Sequence, residues 1–272
     1  MKKKLFPASA TLAALALGGQ ALAADLPAKA PPPPSWSWAG FYVGGNVGYS
    51  WGRSHTNVAV FNDTLNSLLF AATRSFDMNG VIGGGQIGYN WQDGYWVWGI
   101  EADIQGSGQD GRTSFECAVA ICNPRADVSP SNVVFTTLRQ RLAWFGTVRA
   151  RLGTTWTPTV FGYVTGGIAY GQIDSNGAIA GFTLGGSPTT SAFKSGNTNV
   201  GWTAGAGIEG RLSGNWTGKI EYLYMDLSSA SFTAINPLTA PPLRANANSH
   251  IKDNILRVGL NYKFDSAVRA AY

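Results

Sequence analysis

Histidine, cysteine and charged side chains are scarce in this 272-residue sequence. It has two histidines, two cysteines and three methionines, and only 13% of its residues are charged. The formal charge of +5 falls to +2 once residues 1–23 are set aside, because they hold three lysines and no acids. This balance gives no electrostatic basis for a nucleic-acid partner.

Long apolar runs are also missing after residue 23. No later stretch approaches the roughly 20 apolar residues that a membrane-spanning helix needs. If the chain enters a membrane, it must do so as a closed β-barrel, because backbone groups in lipid need internal partners. Glycine and aromatic residues are abundant instead, with 35 Gly, 13 Phe, 10 Trp and 10 Tyr.

The N-terminus carries the three parts of a secretory signal peptide. Lys2–Lys4 form a basic region, an apolar run follows, and Ala21-Leu22-Ala23 is a cleavage motif. We expect a signal peptide over residues 1–23 with cleavage between Ala23 and Ala24.

Residues 24–38 are rich in proline and predict an extended periplasmic spacer. It ends in Trp36 and Trp38, which suit a membrane interface. Export favours a disulfide between Cys117 and Cys122, whose spacing does not fit a CxxC redox motif.

Period-two alternation is clearest at residues 255–264. Leu256, Val258 and Leu260 lie on an apolar face that ends in aromatic residues, while Arg257 and Asn261 lie on a polar face. This pattern predicts a strand with two unlike faces. Seven earlier segments alternate in a comparable way: about 41–53, 80–92, 95–107, 138–156, 160–174, 200–213 and 216–227.

The connections between these segments alternate in length. Tight turns are predicted at 92–94, 157–159 and 214–215, and long loops at 54–79, 108–137, 175–199 and 229–252. This is typical of an outer-membrane barrel with both termini in the periplasm. The sequence therefore predicts an all-β, eight-stranded antiparallel up-and-down transmembrane β-barrel over residues 39–264, with a C-terminal extension at 265–272.

Three stretches resemble the small outer-membrane surface-antigen family of alphaproteobacteria, often labelled porin family or OmpA-like barrels. They are residues 38–49 (WAGFYVGGNVGY), 163–170 (YVTGGIAY) and 257–264 (RVGLNYKF). The resemblance implies an abundant, surface-exposed outer-membrane barrel, and for some relatives haem binding or host contact. Its implied partners are outer-membrane lipid, lipopolysaccharide, the barrel-assembly machinery and a host or environmental ligand at the loops.

The end of the last strand departs from many such barrels, because eight residues follow Phe264. Either Phe264 or Tyr272 is then the terminal aromatic residue read during membrane insertion. We assign the insertion signal to the alternating residues Leu260, Tyr262 and Phe264.

Charged residues on the polar strand faces are expected to point into the barrel lumen. They are Glu101, Asp103, Arg141, Arg149, Arg151, Glu209, Arg211, Lys219, Glu221, Arg257 and Lys263. An eight-stranded barrel is just wide enough for side chains to fill it, which favours a salt-bridged plug. The alternative is an anion-selective pore, since bases outnumber acids in this set.

Other chemistry has little support in the sequence. His55 and His250 are weak candidates for a metal or haem site. The alternative interpretation is that they are two separate loop residues. The glycine patterns at 83–88 and 205–210 lie inside alternating strands, where a dinucleotide site does not form. No catalytic residue and no cofactor is predicted.

The sequence therefore predicts a structural, surface-exposed outer-membrane barrel that supports envelope integrity, not an enzyme. Two alternatives stay open: a porin for small solutes, and a surface receptor for haem or another ligand.

Overall fold

The computed structural model describes residues 36–118, 133–182, 187–238 and 242–264. The expected cleavage site at Ala23 and Ala24, residues 24–35 of the spacer, Cys122 and the extension at 265–272 lie outside these ranges. Cleavage and the Cys117–Cys122 disulfide therefore stay predictions. No helix among the described residues is long and apolar enough to cross a membrane.

The described residues form eight long antiparallel strands. They are β1 Gly40–Asn62, β2 Ser67–Asp93, β3 Trp96–Ala118, β4 Val133–Thr157, β5 Val160–Phe182, β6 Pro188–Ser213, β7 Trp216–Asn236 and β8 Leu243–Lys263. Each strand pairs with the next along the chain, and β1 pairs with β8 to close the barrel. The predicted eight-stranded up-and-down barrel is confirmed.

Three two-residue turns lie at one end of the barrel, which we call the turn end. They join β2 to β3, β4 to β5 and β6 to β7, as the sequence predicted. Gly94 and Gly214 have φ values of +55° and +53°, which other residues rarely adopt, so glycine suits both tight turns. We call the opposite end, where the other connections lie, the hairpin end.

The prediction of long loops at the hairpin end is wrong for the described residues of those segments, which mostly continue as strand, whereas residues 119–132, 183–186 and 239–241 lie outside the described ranges. β1 and β2 are separated only by residues 63–66, although residues 54–79 were expected to form a loop. The strands have 21 to 27 residues, whereas a membrane crossing needs about 9–11. Half of each strand therefore extends beyond the membrane.

The polarity of the two strand faces reverses along these extensions. This reversal explains why the sequence pattern did not predict them as strands. Near the turn end Val43 and Val47 point outward, but farther along β1 the apolar Val58 and Val60 point inward and Asn57 outward. A wall that has left lipid needs a polar outside and an apolar inside. The period of two continues, but the apolar face is now the other one.

Two groups of aromatic side chains mark the edges of the outward apolar band. Trp216 and Tyr262 pack 5.2 Å apart near the turn end, and Trp202 and Tyr224 pack 5.4 Å apart farther along. The eleven residues from Phe41 to Trp51 rise about 23 Å when tilted by about 45°, close to the ~25 Å apolar band of an outer-membrane barrel.

The wall divides into two four-stranded sheets at the hairpin end. Pairing of β2 with β3 extends only to Asn79 and Asp110, and pairing of β6 with β7 only to Gly201 and Leu227. The outer parts of β7, β8, β1 and β2 form the first outer sheet, and those of β3, β4, β5 and β6 form the second. They enclose a buried apolar cluster: Val58, Val60, Phe115, Leu138, Ile179, Phe232, Ala234, Leu243, Ala245 and Ala247.

A β-bulge in β4 overturns the expected position of Arg141. The register of β4 against β5 shifts between Leu142 and Trp144, so inward side chains change from even to odd positions. Arg141 is exposed on the outer surface, whereas Leu142, expected on the lipid face, is 0% exposed inside the barrel. One extra residue in a strand reverses the direction of every side chain before it.

We predict that this bulge controls thiol labelling at two adjacent positions. In a background with both native cysteines replaced by serine, Arg141→Cys should react rapidly with a maleimide in detergent-folded protein. Leu142→Cys should react at least about tenfold more slowly, because buried thiols are protected from reagents. Faster labelling at 142 than at 141 would contradict the bulge and mean that residue 141 faces inward.

A charge on the apolar band should destabilise the barrel far more than the same charge beyond it. Val258 is 49% exposed on the outer face, and Val258→Arg should cost about 2–4 kcal/mol near the membrane midplane. Asn57→Arg, outward on β1 beyond the band, should cost about 0–1 kcal/mol. Denaturant titrations of the protein folded in lipid vesicles measure both, and equal losses would contradict this placement of the membrane.

Candidate functional site: the charged layer of the barrel lumen

Eight charged side chains form a layer across the lumen near the turn end, which we call the charged layer. Its four acids and four bases are each at most 5% exposed. They are Glu101, Asp103, Arg149, Arg151, Glu209, Lys219, Glu221 and Arg257. Alternation along β3, β4, β6, β7 and β8 places them all on inward positions.

Glu101 on β3 is the most heavily bonded acid of the charged layer. Lys219 Nζ lies 2.8 Å from both of its carboxylate oxygens, and Arg149 and Arg151 also donate to it. The Tyr42 hydroxyl donates a further hydrogen bond of 2.8 Å. A buried carboxylate needs such compensation, because an unpaired one is expensive to remove from water.

Arg149 and Arg257 connect the remaining acids across the lumen. Arg149 donates to Glu221 at 3.0 Å and to Asp103 at 2.9 Å. Arg257 donates to the same two carboxylates, with Nε 2.8 Å from Glu221 and Nη2 3.0 Å from Asp103. Two acids shared between two guanidinium groups form a closed network with no excess charge.

Glu209 and Arg151 form the side of the charged layer next to the turn end. Arg151 Nη2 donates to Glu209 at 2.7 Å, and Thr217 and Asn261 donate to the other Glu209 oxygen at 2.6 and 2.9 Å. The Arg151 guanidinium also lies 3.9 Å from the ring centroid of Tyr163, a cation–π contact.

Sequence reasoning missed the two tyrosines of this site, Tyr42 and Tyr163. Tyr42 accepts from Arg151 at 2.6 Å, and Tyr163 donates to Glu221 at 2.9 Å. Both rings lie against glycine: a Cβ at Gly88 would come within 2.3 Å of Tyr42, and one at Gly207 within 2.6 Å of Tyr163. Alternation alone could have found them, because Tyr42 lies between the outward-facing Phe41 and Val43, and Tyr163 comes directly before the outward-facing Val164.

The eleven residues predicted to form the lumen network fall into three groups. Eight form the charged layer, and Lys263 lies at its turn-end side, 8% exposed and 5.0 Å from the Trp36 ring. Arg211 is exposed beside Trp36 and donates to the carbonyl oxygen of Gly214, so its place in the network was wrong. Arg141 lies outside because of the bulge. The expected positive excess is therefore absent from the charged layer itself.

The two tryptophans before β1 lie at the mouth of the lumen, although the sequence suggested a membrane interface. Trp38 is 2% exposed, packs 4.5 Å from the Phe161 ring, and donates its backbone N–H to Gln92 at 2.7 Å. Trp36 packs edge-on against it at 5.7 Å. Together they cover the charged layer on the turn-end side.

An apolar layer occupies much of the lumen on the other side of the charged layer, beside the buried polar side chains of Ser50, Gln109 and Asp253. Its members come from β2, β4, β5, β7 and β8 and are at most 9% exposed: Phe76, Met78, Ile82, Leu142, Phe145, Ala169, Ile173, Leu223, Met225, Leu227, Ile251 and Ile255. A polar lumen throughout was expected, so this layer is a finding of the tertiary structure.

The histidines lie on the outer surface of the barrel wall, in parts of β1 and β8 that the sequence had predicted to be loops. His55 and His250 are register partners on β1 and β8. His55 Nδ1 contacts Ser75 Oγ at 2.7 Å, and His250 Nε2 contacts Asp226 at 2.8 Å. In the described part of the chain, no group of three or more His, Cys, Asp or Glu could hold a metal ion.

The proposed insertion-signal residues lie at the turn end of β8. Leu260 and Phe264 are 45% and 44% exposed on the outer face. Tyr262 packs between Phe264 and Trp216, with ring centroids 5.2 Å from each. Their role as a signal stays a prediction.

Comparison with known proteins assigns this architecture to a family. The outer membrane protein beta-barrel domain matches residues 9–264. The 31 kDa outer-membrane immunogenic protein of Brucella melitensis is 35% identical over 251 residues, covering 90% of this chain and 93% of that protein. The 22 kDa outer membrane protein of Rhizobium leguminosarum is 30% identical over 206 residues, covering 75% and 71%.

Among solved structures, the outer membrane protease OmpT from Escherichia coli aligns with a TM-score of 0.44 and 9% identity, covering 86% of this chain and 99% of that one. A likeness of this size carries no inference about activity. The family match and the two relatives establish that this chain belongs to the outer membrane protein β-barrel family, within the small outer-membrane surface antigens.

Proposed function

We propose that this outer-membrane barrel is closed to solutes, supports the envelope as a structural element and presents its hairpin end at the cell surface. The observation that supports closure is the charged layer, in which four acids and four bases neutralise one another across the lumen. A permeating ion would have to separate buried pairs, and breaking one such pair costs about 3–5 kcal/mol.

The apolar layer adds a second barrier to ions. Side chains such as Phe145, Leu223 and Met225, each 0% exposed, offer no polar partner to a hydrated ion. Transfer of a charge into such surroundings is strongly unfavourable. The balanced charges also remove the argument for an anion-selective pore, which rested on an excess of bases.

Planar-bilayer recordings test closure directly. Wild-type protein should show little or no steady conductance. Arg149→Ser combined with Arg151→Ser leaves four acids facing two bases, so it should lower the unfolding temperature. Its currents should stay small, because the apolar layer remains, and adding Phe145→Ala should enlarge them.

Arg53→Ser provides the matched control, since Arg53 is an exposed arginine on the outer surface, paired with Asp77 at 3.2 Å. It should change neither conductance nor the unfolding temperature measurably, because exposed ion pairs contribute about 0–1 kcal/mol. Large, stable, anion-selective channels from the wild-type protein would reject the closed barrel in favour of a porin.

We further propose that the turn end faces the periplasm and the hairpin end faces the exterior. The short turns at one end and the long polar-faced strands at the other support this orientation. In a cysteine-free background, Asn57→Cys should be labelled in intact cells by a membrane-impermeant maleimide. Asp93→Cys, exposed at the turn end, should be labelled only after the outer membrane is permeabilised. The reverse pattern would mean that the turn end faces the exterior and the hairpin end the periplasm.

A further inference from the structure

The second outer sheet carries a basic row on its outward face. Arg112, Arg139, Asn176 and Lys194 are successive register partners on β3, β4, β5 and β6, and all four are exposed. Neighbouring strands lie about 4.8 Å apart, so the row spans about 14 Å. Three of its four members are cations, and none is an acid.

The cations of the basic row, counted with Arg141, outnumber the nearby acids by four to two: Asp110 on β3 and Asp174 on β5 are the register partners of Arg141. Asp110 is shared: it lies 2.7 Å from Arg139 Nε and 3.6 Å from Arg112 Nε. For Lys194 and Arg141, no carboxylate lies within 4.0 Å in the described ranges. Arg112 and Arg139 face each other directly, and like charges in that position destabilise a sheet unless an acid or a bound anion compensates them.

The corresponding surface of the first outer sheet has a different arrangement. There Asp77, Arg53, Lys252 and Asp226 are successive register partners on β2, β1, β8 and β7. Each cation of this balanced row has an acid as its register partner on the neighbouring strand, and Arg53 lies 3.2 Å from Asp77. Counted in the same way, the basic row has three cations and no acid among its register partners, so within the described ranges the excess charge lies on this side of the barrel.

The basic row also borders a groove whose walls combine the polar groups of the row with apolar side chains such as Ala192 and Phe193. This groove of about 830 Å³ is lined by all four members of the row, with Ser114 and Thr137 among the others. Guanidinium groups bind phosphate oxygens in a bidentate manner, and the amide, hydroxyl and ammonium groups supply further donors. The donors of the basic row fit the phosphate of a phosphorylated ligand.

The distance of the basic row from the apolar band indicates that the phosphate belongs to a lipid headgroup. Trp144 packs with Tyr170 at the hairpin-side edge of the band, with ring centroids 6.1 Å apart. Arg141 lies just beyond Trp144, and Arg139 lies about 10 Å beyond it along the wall. Basic clusters at this distance from a membrane surface lie among the lipid headgroups.

We propose that the basic row, together with Arg141, binds the phosphorylated headgroup of a glycolipid in the outer leaflet. The assignment to that leaflet rests on the orientation proposed above, whereas binding itself does not. The site would fix one side of the barrel to the lipid around it. The balanced row on the opposite side would make no such contact.

Binding of phosphorylated lipid A to the purified full-length barrel in nonionic detergent tests the proposal. Arg139→Gln combined with Lys194→Gln should weaken binding about tenfold, since two charge-assisted contacts are lost. Arg53→Gln combined with Lys252→Gln makes the same change of charge on the balanced row and should weaken binding less than about twofold. Heat-modifiable migration verifies that each variant is folded.

Three results would overturn the proposal: equal binding of lipid A without its phosphates, displacement by inorganic phosphate at matching concentration, or equal loss in the two variants. The first would mean contact through acyl chains, and the second a site for free anions. The third would mean non-specific electrostatic attraction between the lipid and the barrel's positive charges. Conductance and whole-cell labelling are unaffected by these results, so failure here is distinct from failure of the closed-barrel function.

Discussion

The compensation of buried charge in a narrow lumen is the interaction on which the barrel depends. Arg149 on β4 reaches Glu221 on β7, and Lys219 on β7 reaches Glu101 on β3, so the charged layer ties opposite walls together. Arg257 brings the closing strand β8 into the same network. Because each group is an essential partner of several others, the layer favours a single register for the strands that carry it.

The strands cross two environments, and this determines how the lumen is filled. Where lipid surrounds the wall, the outside is apolar and the lumen can be charged. Beyond the apolar band, water surrounds the wall, and inward residues such as Val60 and Ala247 form an ordinary apolar core between two sheets. The protein thus combines a membrane barrel with a sandwich-like extension on the same eight strands.

Side chains fill the interior, which leaves the outer surface as the place where interactions with other molecules differ from one side to the other. The two outer sheets have similar strand numbers and lengths but unlike charge, as the basic row and the balanced row demonstrate. Such a difference between two equivalent surfaces does not follow from folding requirements. It is the kind of feature that contact with a charged neighbour requires.

The sequence by itself determined the fold class, the three tight turns and the direction of most strand residues near the turn end. Val258 and Leu260 outside, and Arg149 and Arg151 inside, follow from a period of two that each strand carries locally. The inward positions of Tyr42 and Tyr163 were available from the same pattern.

The tertiary structure determined the features that depend on strand pairing and on contacts between residues distant in sequence. The bulge that moves Arg141 outside arises from the pairing of β4 with β5, and no local pattern in β4 reveals it. The strand extensions were hidden because the apolar face changes sides where the membrane ends. Trp38 enters the lumen because Phe161 and Val97, distant in sequence, leave an apolar mouth for it. Alternation tells which way a side chain points, but only the closed barrel determines what it meets there.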